Sequence, residues 1–78
     1  MMRNRFEVVY VDPRGAEQIL TRVLPNGFSG KWKVVKRYAA KVLPHPIKET
    51  GENPLGLTFV VASTSYPGNG FVGVRECK

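Results

Sequence analysis

Residues 31 to 43 read KWKVVKRYAAKVL, one helical repeat set in a chain whose other apolar segments are built like strands. At about 100° per residue, Trp32, Val34, Val35, Tyr38, Ala39, Val42 and Leu43 cover one half of the circumference. Lys33, Lys36, Arg37 and Lys41 take the other half, with Ala40 among them. Lys31 falls in the apolar half, but at the first turn, where it can point away. Ser29 can cap the helix by accepting a hydrogen bond from an orphan backbone N–H. Pro44 stops it, because proline disfavours helical geometry in the residue before it. A helix that is apolar on one side needs a surface to cover that side, and the rest of the chain must supply it.

Strands are what the rest offers. RFEVVYV (5–11) is rich in β-branched and aromatic residues, which suit a pleated, half-buried surface. In the DPRG that follows, Pro13 fits the second position of a type I turn and Gly15 the positive φ of a bulged hairpin. AEQILTRVL (16–24) returns as a second strand, a short helix being the alternative on propensity alone. Pro25, Asn26 and Gly27 end it either way. If Asp12 pairs with Ala16, then Val9 opposes Ile19 and Val8 opposes Leu20. One face would then carry Phe6, Val8, Tyr10, Leu20 and Leu24, the other Val9, Val11, Ile19 and Val23. The first is the expected core side, although Arg22 falls on it too and must reach outward.

PHPIKETGENPLG (44–56), with three prolines and two glycines, reads as an irregular connection. LTFVVAS (57–63) carries no charge and reads as a central strand. TSYPGNG (64–70) is a turn, with Pro67-Gly68 at the two central positions of type II. FVGVREC (71–77) pairs back as the last strand. The expected fold is a single α+β domain over residues 1–78 in the order strand, strand, helix, strand, strand. Its four-stranded antiparallel sheet carries one helix packed on one face, with the order of the two hairpins open.

A chain of 78 residues buries only about 60 to 65% of its unfolded surface, so its core is thin. Cys77 is the only cysteine, which rules out an internal disulfide and favours a reducing compartment. MMRNRFEVVYVD lacks the apolar run of a signal peptide, since Glu7 and Asp12 interrupt it. No stretch reaches the length of a membrane span. Together these features predict a soluble, cytoplasmic protein with no membrane partner.

Charge is the informative part of the composition. Twelve Lys and Arg stand against six Asp and Glu, for a net charge of +6. No acid occurs between Glu17 and Glu49, while Arg22, Lys31, Lys33, Lys36, Arg37, Lys41 and Lys48 all fall there. A helix that is basic only for solubility usually mixes signs, to gain pairs at spacings of three and four. Here Lys33 with Lys36, Lys33 with Arg37, and Arg37 with Lys41 repel, at a cost of about 0.2 to 0.5 kcal/mol each. Such a face suits phosphates, which it can neutralise with release of counterions and without reading sequence. The helix has no Asn or Gln to address base edges.

Other patterns carry less. Gly68, Gly70 and Gly73 have the spacing of a dinucleotide-binding loop, but that loop needs a helix after it and a β-rich segment follows instead. NGFVGVRE (69–76) lacks the basic lead and the later aromatics of the strand motif with which RNA-recognition domains stack bases. His45 stands alone between two prolines, without the convergent ligands of a metal site or the partners of a nucleophile. Nothing apolar in the sequence surrounds Glu49 and Glu52 to raise a carboxyl pKa. The sequence therefore predicts no catalytic, cofactor or metal site.

The expected function is a small non-catalytic binding module offering Lys33, Lys36, Arg37 and Lys41 to a polyanion, DNA or RNA, with Arg22 and Lys48 extending the patch. The alternative is a protein-binding inhibitor or adaptor that docks on an acidic surface of a host nucleic-acid-handling enzyme. Phage and mobile-element accessory proteins supply that analogy, at the level of size and architecture. An exposed sheet edge would give such a protein a second way to bind. Peripheral membrane binding by the helix ranks third, because its apolar side is needed to close the core.

Overall fold

The computed structural model describes residues 5–23, 28–51, 53–66 and 68–76. In chain order the elements are β1 (Phe6–Val11), β2 (Glu17–Val23), α1 (Phe28–Val42), β3 (Ile47–Glu49), a 3-10 turn (Pro54–Gly56), β4 (Thr58–Ser63) and β5 (Phe71–Glu76). The strands form one antiparallel sheet in the order β2-β1-β5-β4-β3, and α1 packs across one face of it. The first and last strands in sequence thus meet in the middle of the sheet. Leu24, Pro25, Asn26, Gly27, Glu52, Pro67 and Cys77, which figure in the expectations above, lie outside the described residues.

The sheet has five strands rather than four, and the element order is ββαβββ. The added strand is Ile47–Glu49, inside the segment expected to be irregular. Three residues between prolines show no periodicity of their own. They become a strand because β4 supplies the partner, with Ile47 opposite Ser63, Lys48 opposite Ala62 and Glu49 opposite Val61. Backbone bonds extend the ladder at both ends: Thr50 N–H donates to Val60 O at 2.8 Å, and Thr64 N–H to Pro46 O at 2.9 Å.

The first hairpin turns where expected. Asp12 N–H donates to Ala16 O at 3.0 Å, and Gly15 takes a φ of 88°. Asp12 Oδ1 accepts from the backbone N–H of both Arg14 and Ala16, an Asx turn that holds the corner. Val9 opposes Ile19, as the turn requires. Beyond that point the register shifts by one, so Val8 opposes Thr21 and not Leu20. This bulge lets Leu20 pack on the helix side and turns Arg22, opposite Glu7, to the other face.

Each face of the sheet carries its own cluster. Toward α1, Val8, Val61, Val72 and Val74 bury against Val35, Ala39 and Leu43, with Trp32 and Phe59 meeting edge to face at 4.9 Å. On the other face Val9, Val11, Leu57 and Val60 form a smaller cluster, with Phe71 packed against it. Gly73 makes room for this second cluster. A Cβ built there would stand 2.9 Å from Leu57 Cβ and 3.1 Å from Val60 Cγ2. The segment between β3 and β4 therefore returns across the back of β5, where Leu57 is 1% exposed.

Candidate polyanion-binding face

Local sequence and tertiary packing agree on α1. Val35, Ala39 and Leu43 recur every four residues and are the buried stripe. The helix begins at Phe28, so Ser29 sits inside its first turn and not before it. At the other end Leu43 N–H donates to Ala39 O at 2.8 Å, and Pro44 follows. His45 Nε2 lies 3.2 Å from Ala40 O, where its N–H satisfies one of the carbonyls left open at a helix end. This contact gives His45 a structural role.

With that stripe turned inward, Lys33, Lys36, Arg37 and Lys41 are all exposed on the outer side of α1. They are not equivalent. Lys36 Nζ is 3.2 Å from Glu49 Oε2, an ion pair joining α1 to β3, and it also lies 5.8 Å from the Trp32 ring centroid. Lys41 Nζ stands 4.9 Å from the Tyr38 ring. Among the described residues, Lys33, Arg37 and Lys41 have no carboxylate partner. Lys31 does not join them: unlike the exposed Lys41 it is half-buried, its ammonium 4.1 Å from the Phe6 ring centroid and 5.4 Å from that of Phe59, two rings packed against the core.

Arg22 and Lys48 lie elsewhere. Both sit on the face of the sheet away from α1, since Arg22 opposes Glu7 and Lys48 opposes Ala62, whose next neighbour Phe71 packs on the second cluster. Arg22 Nε approaches Glu7 Oε2 at 3.8 Å. Glu7 is flanked on its other side by Arg75, whose Nε donates to Glu7 Oε1 at 3.1 Å and whose Nη1 donates to Glu17 Oε1 at 2.6 Å. Those two hydrogen bonds, Glu17 first and then Glu7, hold the Arg75 guanidinium above its ordinary pKa. A raised pKa contributes stability below the unfolded value and loses it only as pH climbs through the folded one. For an arginine that window lies beyond neutral chemistry. The six residues expected to form one patch are thus four on α1 and two behind the sheet.

Among the described residues Glu7, Glu17 and Glu49 pair with the chain's own cations, which no local pattern in the sequence announces. Glu49 is 13 positions from Lys36 in the chain and meets it only because β3 joins the sheet beneath the helix. Glu7 meets Arg22 only once the bulge has turned that side chain over. Among the described residues no group of three or more His, Cys, Asp or Glu is placed to hold a metal, and no helix is long and apolar enough to cross a membrane. Comparisons with protein-family models, curated proteins and solved structures find no match.

Proposed function

We propose that this protein is a small non-catalytic binding module whose cationic α1 face contacts a polyanion, DNA or RNA, with little sequence specificity. The observation that carries the reading is the placement of Lys33, Arg37 and Lys41 on the outer side of α1. They are exposed and lack a carboxylate partner among the described residues, while the apolar side of the same helix closes the core. Evenly signed charge on a face not needed for folding costs stability unless an anion offsets it.

Two rival uses of the surface fit less well. A bilayer would need the apolar side of α1, and Val35, Ala39 and Leu43 are already buried. Strand addition would need an open edge. β3 is only three residues long and β2 carries a bulge, and both features discourage edge pairing. An acidic protein surface would use the same cations as nucleic acid and is the alternative partner.

The test is a titration of random duplex and single-stranded nucleic acid at low and moderate salt, beside the K33E/K36E/R37E/K41E variant. Binding that weakens steeply with salt and is lost in the variant is the expected result. No binding at low salt would refute the reading. Capture of an acidic protein by the wild type alone would then favour the alternative.

A further inference from the structure

We infer that the binding element is a single row, Lys33–Arg37–Lys41, which grips three successive phosphates along one nucleic-acid strand; this rests on the polyanion reading above. The row follows from helix geometry. Residues four apart form a ridge on an α-helix, and four rises of about 1.5 Å separate neighbours by about 6 Å. That interval is comparable with the step between successive phosphates on one strand, so each cation can meet its own phosphate without the helix bending. All three side chains are exposed, and no carboxylate among the described residues pairs with them.

The structure also limits the row to three. Lys36 lies on the flank of the ridge, held at 3.2 Å by Glu49. Lys31 lies over the Phe6 ring at 4.1 Å. Arg22 and Lys48 point from the opposite face of the sheet. A straight helix carrying three cations reaches one strand, in a duplex or alone, and does not clamp two.

The number of phosphates is measurable. Each neutralised phosphate contributes about 0.9 to the slope of log K against log salt on duplex and about 0.7 on a single strand. Three contacts therefore give slopes of about −2.7 and about −2.1. The experiment is fluorescence anisotropy of a short labelled duplex and of one of its strands across a salt series, with far-UV circular dichroism to show that each variant folds. K33Q, R37Q and K41Q should each flatten the slope by one contact, and R22Q and K48Q should leave it unchanged. E49Q should release Lys36 and steepen the slope by about one contact. A wild-type slope of five or six contacts, or a slope flattened by R22Q or K48Q, would overturn the row while leaving nucleic-acid binding intact. Absence of binding to both nucleic acids, with polyglutamate bound instead, would overturn the polyanion reading beneath it and assign an acidic protein partner.

Discussion

Gly73 stands in the middle of β5, where glycine weakens a strand unless something needs the space. Leu57 needs it. The 2.9 Å that would separate a new Cβ from Leu57 Cβ is a contact real side chains do not sustain, and both neighbours are buried. Gly73→Ala should therefore destabilise the fold by about 1 to 3 kcal/mol through overpacking. Combined with Leu57→Gly, the pair should cost less than the sum of the two single changes, since removing the Leu57 Cβ relieves the clash. Urea denaturation of the four proteins measures this, and strict additivity would show that Gly73 and Leu57 do not share the space. In the sequence this glycine stands out only by its spacing from Gly68 and Gly70. Gly68 and Gly70, with φ of 92° and 88°, do serve the turn, but Gly73 serves packing, and no local pattern reveals a leucine arriving from 16 positions away.

At the scale of elements, the parts read correctly are those whose causes are local. The DPRG corner follows from its own residues, and the orientation of α1 follows from its period. Departures arise where a second element supplies the cause. β3 exists because β4 pairs with it, and three residues are too few to show alternation. The bulge in β2 did leave a trace, because an unbulged hairpin places charged Arg22 on the buried side. Shifting the register by one removes that conflict and gives Arg22 a carboxylate at 3.8 Å. The same reasoning divides the expected patch, since strand faces alternate and a one-residue shift sends a side chain to the other side.

The helix also makes stability and binding move in opposite directions. Arg37→Glu replaces two repulsive pairs, with Lys33 and with Lys41, by two attractive ones. The variant should be more stable to urea by about 0.8 to 2 kcal/mol. It should also bind nucleic acid more weakly than Arg37→Gln does. A side chain kept only for solubility would show the first effect without the second. Loss of stability in Arg37→Glu would mean that Arg37 holds the fold together.

On the scale of the whole molecule, the sheet is a partition. Behind it, Glu7 and Glu17 engage Arg22 and Arg75, so much of the positive charge there is compensated internally. In front of it, α1 carries an acid-free outer side, and among the described residues only Lys36 is drawn down to a carboxylate, that of Glu49. The concentration of charge was visible in the sequence. Its division between two faces was not, because that depends on which strands are neighbours. The most direct test is a backbone-amide NMR titration with a short duplex. Shifts should gather on residues 33 to 41 of α1 and leave β2 and the back-facing positions of β1, β3 and β5 unmoved. Shifts centred on Arg22, Lys48 or Arg75 would contradict the account, as would a spectrum that does not change.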